Sequence, residues 1–534
     1  MRCGLVRLPR RSAPKWTPLL LAPLLVAAVV VPSTQATAGS APAPATARLI
    51  PEPSSVQPVD GVRFTLQPWS TITVPNDPAA AGVGKYLAKI LRASTGYPMP
   101  VLHWPLLSGI SLNLGGPATL GKEGYRLDVT RTHVRIQAHA AAGLFYGVQT
   151  LRQLLPAQID SPTVRPGPWT IAGVRILDKP RFAWRGAMLD VARHFRDVAD
   201  VKTFIDMLAS YKMNTLHLHL SDNDGWRIDI KGWPRLARYG GSVGTGGSPG
   251  GWYTQAQYRE IVRYASSRFI TIIPEIDTPG HVTAALASYA PLNCDGKAPP
   301  LLSGGYSSLC VRKPITYSFL DDVIGQLAAL TPGPYIHVGG DEALNTPPAD
   351  YNYFIGRVQE IVHAHGKQLL GWHQIVSGDI TAGTVAQYWG LAGSTEDITL
   401  AQRAKSLGAK LVMSPADKIY LDMKYDAQTP FGQDWAGYNS VSDAYDWDPA
   451  TLVPGIGEGD ISGVEAPLWT DVLPTMQDVE YMALPRLPGV AEVGWSPQSA
   501  HSWSDYKVRL AAQAPRWTER GWDYFRSPEV PWSD

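Results

Sequence analysis

The chain has 534 residues and a mass of 58.0 kDa, with 47 Lys and Arg against 46 Asp and Glu. This length exceeds one ordinary domain and predicts a large domain together with a smaller one. A hydrophobic fraction of 45% is enough for a packed core, which excludes a disordered or fibrous chain. The formal net charge of +1 lacks the basic excess typical of nucleic-acid binding, so we expect no nucleic-acid partner.

The first 38 residues have the pattern of a secretory signal peptide. They carry basic residues and no acidic ones, followed by an apolar run at 19–31 and the small-residue sequence Ala36-Thr37-Ala38. This order is typical of a cleaved export signal. The alternative, a transmembrane anchor, needs about 20 apolar residues, and this run is shorter. We therefore expect residues 1–38 to be removed, the mature protein to be secreted, and no membrane to be a partner.

Residues 59–178 are predicted to form a small α+β domain. Two runs typical of strands, at 125–129 and 134–138, precede an amphipathic stretch at 142–155. The residues before this domain, 39–58, are rich in Ala, Pro and Thr and are predicted to form a mobile leader. No group of residues in this part of the chain points to catalysis.

From Arg185 onward, eight short apolar runs alternate with longer amphipathic or loop segments. This alternation predicts parallel strands, and eight of them within residues 179–534 predict a (β/α)8 TIM barrel of the α/β class. Acidic and aromatic residues follow these runs, at the strand ends where barrel enzymes have their active sites. The pattern therefore indicates an enzyme with the barrel as its catalytic domain. The predicted strands are 186–191, 215–220, 270–276, 335–338, 368–372, 385–389, 410–413 and 463–469.

Two adjacent acids, Asp341 and Glu342, follow the fourth predicted strand after a pair of glycines. Glycines allow the backbone to turn sharply as it leaves the strand. Neighbouring carboxyl groups repel each other, which raises one pKa and suits that group to act as a general acid. The structural alternative is a helix N-terminus, where acids are also favoured. At the end of a barrel strand we favour the catalytic interpretation.

The cysteines agree with export. Cys3 would leave with the signal peptide, so Cys294 and Cys310 remain, on either side of a short stretch rich in Gly and Pro. An even pair in an exported protein predicts one disulfide, and two buried free thiols are the alternative.

His217 and His219 alternate along one predicted strand and suggest a competing class, a metal-dependent hydrolase. Such a site needs further ligands from later strands, and those strands end in Trp372 and Trp389. We therefore favour hydrogen-bonded core histidines and predict no metal and no cofactor.

The glycine-rich stretch 240–251 lacks the Gly-Lys-Ser/Thr of a phosphate loop and is predicted to be a flexible loop near the barrel mouth.

Three tryptophans end late strands, and Tyr420 and Asp422 lie in the sequence between them. Indole rings at a barrel mouth form an apolar pocket that could enclose a methyl group and stack on a sugar ring. Core packing is the alternative for any one of them. The three are Trp372, Trp389 and Trp469.

Five motifs together resemble glycoside hydrolase family 20, the β-N-acetylhexosaminidases, in the style of secreted actinobacterial members. The resemblance covers about residues 60–530 and implies a small α/β domain packed on the catalytic barrel. It also implies an oligosaccharide or glycoconjugate substrate with a β-linked N-acetylhexosamine. The motifs are Leu189–His194, His219–Asp222, Pro274–His281, His337–Glu342 and Glu465–Trp469.

The resemblance further implies substrate-assisted catalysis, in which the 2-acetamido oxygen attacks the anomeric carbon and forms an oxazolinium intermediate, with net retention. Glu342 would protonate the leaving oxygen, and Asp341 would hold the acetamido N–H. Tyr420 would bond the acetamido oxygen, and the three tryptophans would enclose its methyl group and the sugar face. The other implied contacts are Arg193 at the 3- and 4-hydroxyls, Asp422 near the 6-hydroxyl, and His281 and Asp222 near Glu342.

Two elements depart from the family pattern. The element Leu468-Trp-Thr-Asp471 stands where the family has Leu-Trp-x-Glu, and the shorter Asp471 leaves space beyond the terminal sugar. That space favours a second candidate, release of a disaccharide ending in GlcNAc as in lacto-N-biosidases. The retained Arg193 favours exo release of a single GlcNAc or GalNAc, which we prefer. The element Asp222-Asn-Asp224 replaces the common Asp-Asp-Gln. A third reading, a non-catalytic sugar-binding barrel, is opposed by the intact acid pair.

Overall fold

The computed structural model describes residues 48–104 and 108–533. The predicted signal peptide and residues 39–47 of the predicted leader lie outside these ranges. No helix within them is both long enough and apolar enough to cross a bilayer.

The rest of the predicted leader, residues 48–58, belongs to the folded domain, so that prediction is wrong there. Leu49 and Ile50 are buried, and the Ile50 N–H donates to Oε1 of Gln153 over 2.9 Å. The first strand begins at Ser55. The composition suggested a leader, but one apolar pair is enough to anchor the segment because its burial and hydrogen bonds offset the entropy of ordering it.

The N-terminal domain is a seven-stranded mixed sheet with two helices, as the predicted α+β class requires. Its strand order is β1-β7-β5-β6-β4-β2-β3, antiparallel from β1 to β6 and parallel from β6 to β3. The elements are β1 (Ser55–Thr65), β2 (Thr71–Thr73), α1 (Pro78–Thr95), β3 (Val101–Leu102), β4 (Gly109–Asn113), β5 (Tyr125–Val129), β6 (His133–Ala138), α2 (Ala141–Leu154) and β7 (Thr170–Asp178).

Local sequence signals define the helices of this domain. The Asp77 side chain accepts the N–H of Ala80 at the start of α1, Pro78 occupies its first turn, and Gly96 ends it with a φ of 73°. These are the residue types that helix ends prefer. The helix α2 is buried along almost its whole length, so it forms the core between the sheet and the rest of the molecule.

The remaining strands close into an eight-stranded parallel barrel, which confirms the predicted fold. All eight predicted runs are strands, with ends that differ by a few residues. The strands are β8 (Trp184–Asp190), β9 (Thr215–His219), β10 (Thr271–Thr278), β11 (Tyr335–Gly339), β12 (Gln368–Trp372), β13 (Val385–Tyr388), β14 (Lys410–Met413) and β15 (Ile461–Ala466).

Helices surround this barrel in the usual alternation, except that a short 3-10 helix at His373–Ser377 replaces the α-helix between β12 and β13. The barrel helices are α3 (Val198–Ser210), α4 (Pro234–Arg238), α5 (Gln255–Ser266), α6 (Thr283–Ser288), α7 (Pro314–Leu330), α8 (Pro348–Ala364), α9 (Thr395–Ser406), α10 (Ala416–Ile419), α11 (Met476–Ala483), α12 (Arg486–Trp495), α13 (Trp503–Ala511) and α14 (Ala514–Arg520).

Buried ion pairs join the two domains at the amino-terminal end of the barrel. The fully buried Arg185 on β8 lies 2.7 Å from Oε1 of Glu123. Lys212 lies 2.8 Å from Oδ2 of Asp178, the last residue of β7. Breaking a buried pair leaves an uncompensated charge, so these contacts hold the domains in one arrangement.

Cys294 and Cys310 form the predicted disulfide. It closes the loop between α6 and α7, and this loop lies beside the barrel mouth. Ser307 of the loop donates to Oδ1 of Asn223 over 2.6 Å and accepts the N–H of Val282 over 2.7 Å.

Candidate active site

A pocket of about 310 Å³ lies at the carboxyl ends of the barrel strands. This volume is at the lower end of small-molecule sites, and the position is the one that barrel enzymes use. Nearly all the predicted site residues line it. Its lining residues are Arg193, Asp222, Asp277, His281, Asp341, Glu342, Trp389, Tyr420, Asp422, Gln433, Trp435, Trp469 and Asp471.

The two adjacent acids are presented by an unusual backbone after β11. Gly339 and Gly340 have φ values of 73° and 98°, which confirms the predicted turn. A Cβ on Gly339 would lie 1.7 Å from Oδ1 of Asp277, so only glycine fits there. Glu342 itself has a φ of 43°. A left-handed conformation costs a non-glycine residue about 1–3 kcal/mol and is typical of functional sites.

Glu342 belongs to a chain of polar contacts with His281 and Asp222. Its Oε2 lies 3.3 Å from Nε2 of His281, and Nδ1 of His281 lies 3.3 Å from Oδ1 of Asp222. The buried Asp222 carboxylate raises the pKa of His281 far above its usual range, against the effect of burial. The imidazolium in turn lowers the pKa of the half-exposed Glu342. The pair therefore holds a proton on the His281 side until a ligand excludes water and raises the pKa of Glu342.

Asp341 is more deeply placed than its neighbour. Burial, followed by the nearby carboxylates of Glu275 and Glu342, raises the pKa of Asp341 to about 6. Its Oδ2 lies 3.8 Å from Nε2 of His281, and its buried Oδ1 has no partner among the described residues. Asp341 thus offers a free acceptor atom to whatever enters the pocket.

Arg193 closes one side of the pocket. Its Nη2 lies 2.9 Å from Oδ2 of Asp222, its Nε lies 3.9 Å from Oδ1 of Asp471, and its guanidinium carbon lies 4.8 Å from the ring centre of Trp469. The two carboxylates raise the pKa of Arg193. Asp471 is therefore paired with Arg193 at the rim of the pocket. The Arg193 side chain, which is only 12% exposed, borders the space that Asp471 leaves open because it is shorter than the glutamate of the family pattern.

Aromatic residues form a second wall, which meets Arg193 at Trp469. Trp389, Tyr420 and Trp469 line the pocket as predicted. Trp372 lies one layer deeper, only 1% exposed, with its ring centre 5.7 Å from that of Trp469. It supports the wall from behind. Trp435, whose role the sequence did not predict, lies 5.8 Å from the ring of Tyr420 and is half exposed.

Asp422 lies at the edge of this wall. Its Oδ1 accepts the N–H of Trp469 over 3.4 Å, and its Oδ2 has no partner among the described residues. Burial raises the pKa of Asp422 to about 8. At neutral pH most of this group is a carboxylic acid, which can donate a hydrogen bond as well as accept one.

The structure also includes three pocket residues that the sequence analysis missed. Asp277 is fully buried, and burial together with Asp341 raises its pKa well above the usual range. Its position near the carboxyl end of β10, where barrel enzymes have their active sites, could have identified Asp277 as a pocket residue. Gln433 and Trp435 come from the long segment after α10, where no periodic pattern predicts a location.

His217 and His219 are hydrogen-bonded core residues, which confirms the favoured interpretation. Nδ1 of His217 lies 2.9 Å from Glu465, and Nε2 of His219 lies 2.8 Å from Asp222. Among the described residues, three groups of side chains lie close enough to hold a cation, but each combines carboxylates with imidazoles that already contact one another. The groups are His217 with Glu275 and His337, His219 with Asp222 and Asp277, and Asp277 with His281 and Asp341.

The glycine-rich stretch 240–251 lies beside the site, as predicted. The N–H of Thr245 donates to the Arg193 carbonyl over 2.9 Å, and its hydroxyl donates to Asp224 over 2.5 Å. The buried Arg227 guanidinium donates to the carbonyls of Gly241 and Gly251. The stretch is therefore held at several points.

Comparisons with known proteins agree with this geometry. The model for "Glycosyl hydrolase family 20, catalytic domain" matches residues 182–349 and 345–498, and that for "Glycosyl hydrolase family 20, domain 2" matches residues 46–179. The chain is 40% identical to a beta-N-acetylhexosaminidase of Cellulomonas fimi over 489 residues, which cover 91% of this chain and 97% of that protein.

Solved structures give the same result. The N-acetyl-beta-hexosaminidase of Streptomyces plicatus, in complex with thio-NAglucal, is 55% identical with a TM-score of 0.89, over 91% of this chain and 98% of that one. The family 20 beta-N-acetylhexosaminidase of Streptomyces coelicolor A3(2) is 54% identical with the same TM-score, over 91% and 99% of the two chains. From the acid pair, the aromatic pocket and these matches, the chain belongs to glycoside hydrolase family 20.

Proposed function

We propose that this protein is an exo-acting, retaining β-N-acetylhexosaminidase that releases single GlcNAc or GalNAc residues. One observation carries the proposal: the free, buried Oδ1 of Asp341 and the half-exposed Glu342 face one pocket of monosaccharide size. A mutant of the Streptomyces plicatus relative was solved with GlcNAc as product, which supports the choice of sugar.

The reaction follows from the adjacency of the two acids. An ordinary retaining glycosidase places carboxyl groups on both sides of the anomeric carbon, about 5–5.5 Å apart, whereas family 20 uses the substrate's own acetamido group. In our proposal the acetamido oxygen attacks, the glycosidic bond breaks, and Glu342 gives its proton to the leaving oxygen. Water then opens the oxazolinium ion, and Glu342 takes the proton from that water.

The other pocket residues hold the sugar for this attack. Asp341 accepts the acetamido N–H. Its negative charge balances the positive charge that develops on the oxazolinium ring as the acetamido oxygen attacks. Tyr420 donates to the acetamido oxygen, and the wall of Trp389 and Trp469, backed by Trp372, encloses the methyl group. Arg193 binds the 3- and 4-hydroxyls, and Asp422 binds the 6-hydroxyl region through its unpartnered Oδ2.

The proposal is tested by comparing 4-nitrophenyl glycosides of β-GlcNAc and β-glucose. We expect the N-acetyl substrate to react at least about 10³-fold faster, because an intramolecular nucleophile has a very high effective concentration. NMR of the first product should show the β-anomer. Similar rates for both sugars, or an α-anomer, would contradict the mechanism.

A reducing-end-labelled trisaccharide of GlcNAc should lose one sugar at a time, and disaccharide release would contradict the exo assignment.

We also propose that residues 1–38 direct export and that the mature enzyme is secreted. The support is the basic start, the apolar run and the Ala36-Thr37-Ala38 site. Expression of the full chain in an actinobacterial host should put activity in the medium, with a mature N-terminus at Gly39 by mass spectrometry. Full-length protein that stays inside the cells would refute this.

A further inference from the structure

The carboxylate of Glu275 is surrounded by four ring nitrogens in the interior of the barrel. Its Oε1 accepts the indole N–H of Trp372 over 3.0 Å and lies 2.9 Å from Nδ1 of His337. Its Oε2 lies 3.0 Å from Nε2 of His217 and is hydrogen-bonded to Nδ1 of His219. All five side chains are buried. Two of these partners, Trp372 and His219, contact residues that line the pocket, so two chains of contacts meet at Glu275.

One chain of contacts leads to the wall of the pocket. The N–H of Trp372 donates to Glu275, and its ring lies directly behind that of Trp469. Trp469 lines the pocket in which we place the acetamido methyl group. An indole can rotate about two torsions, and a hydrogen bond to a buried charge is the directional contact that selects one orientation.

The other chain leads to the acid. His219 bonds Glu275 through one nitrogen and lies 2.8 Å from Asp222 through the other. Asp222 lies 3.3 Å from His281, which lies 3.3 Å from Glu342. The two carboxylates raise the pKa of His219 against the effect of burial, and together they fix the orientation of its ring.

We infer that Glu275 is a positioning residue that sets the N-acyl specificity of the site and at the same time aligns the polar chain that ends at Glu342. The inference rests on the proposed function, because it assumes that the pocket holds an N-acyl sugar. A carboxamide at this position would offer one acceptor oxygen in place of two and would point an N–H₂ group at two ring nitrogens. Either Trp372 or His219 would then lose its acceptor.

The barrel supplies a matched control in Glu465 on β15. This residue is also a fully buried carboxylate, and it also accepts from an indole, that of Trp184, over 2.8 Å. It also contacts His217 and Gln387, each over 2.9 Å. His217 is shared with Glu275, but the other two partners lead away from the site: Trp184 packs on Tyr335 and Gln387 donates to Ser414, and neither of these lines the pocket. Trp372 and His219, by contrast, contact Trp469 and Asp222, which do. The same substitution at the two glutamates therefore separates an effect on the site from a general loss of barrel stability.

The experiment measures kcat and KM of Glu275→Gln, Glu275→Asp and Glu465→Gln with 4-nitrophenyl glycosides that carry N-acetyl or N-propionyl groups. One extra methylene in a shaped pocket changes rates by about 10–200-fold, so the wild type should strongly prefer the N-acetyl substrate. We expect Glu275→Gln to reduce this preference about tenfold and to lower kcat, because misplacement by about 1 Å can cost 10²-fold. Glu465→Gln should keep the wild-type preference even if its Tm falls.

The Glu275→Asp variant keeps the inference testable if Glu275→Gln does not fold. It retains the buried carboxylate and shortens the side chain by one methylene. Its acyl preference should lie between those of wild type and Glu275→Gln. An unchanged preference in folded variants of Glu275, or the same loss in Glu465→Gln, would overturn the inference. If the wild type itself cleaves neither N-acyl substrate, the proposed function fails instead, so the two failures are distinguishable.

Discussion

The Glu342→Gln variant is expected to lose about 10²–10⁴-fold in kcat/KM on the β-linked disaccharide of GlcNAc, because a poor leaving group needs its proton from a general acid. With a 2,4-dinitrophenyl glycoside the loss should be much smaller, since that leaving group departs without a proton. The measurement is a series of aryl glycosides with leaving groups of increasing pKa. A steep dependence of log kcat/KM on that pKa, absent or shallow in the wild type, identifies the acid.

The control for this variant is Glu360→Gln, at an exposed ion pair with Arg357 on α8. It should behave as wild type on every substrate. Binding of GlcNAc to Glu342→Gln should stay close to wild type, because the neutral amide keeps the shape of the side chain. An equal loss for good and poor leaving groups would show that Glu342 does not donate the proton.

The Asp341→Asn variant is expected to lose about 10²–10³-fold in kcat/KM with good and poor leaving groups alike, the size typical of removing one preorganised electrostatic contact. The amide places an N–H₂ group near the acetamido N–H and removes the negative charge that balances the oxazolinium ion. Equal losses across the aryl series would separate this role from that of Glu342.

The pH profile gives a second readout for Asp341. Its pKa of about 6 means that the group is ionised above this pH and protonated below it. Only the ionised form carries the negative charge that balances the oxazolinium ion, so wild-type kcat/KM should fall as the pH is lowered through about 6. In Asp341→Asn this acid limb should vanish, whereas Asp350→Asn at the start of α8 should keep it. An acid limb that persists in Asp341→Asn would assign the titration to another group.

Position in the fold explains why neighbouring acids can have different tasks. Asp341 is buried beside Asp277 and His281, whereas Glu342 reaches the open side of the pocket with 43% of its side chain exposed. Burial raises the pKa of the first, and the imidazolium of His281 lowers that of the second. The acid can therefore exchange protons with water between the two steps while the inner carboxylate stays shielded.

Much of this protein is determined locally and is readable from its sequence. The buried runs, the two glycines before Asp341 and the aromatic residues at late strand ends predicted the barrel and most of the pocket, because strand periodicity and strand-end chemistry depend on neighbouring residues. Only the tertiary structure decided the rest. Closure of the barrel brings Glu275 to Trp372, 97 positions along the chain, and carries Trp435 from an irregular segment to the pocket rim. Burial of Leu49 and Ile50 likewise depends on a distant helix. Such contacts arise from how elements meet in space, and no local pattern encodes that meeting.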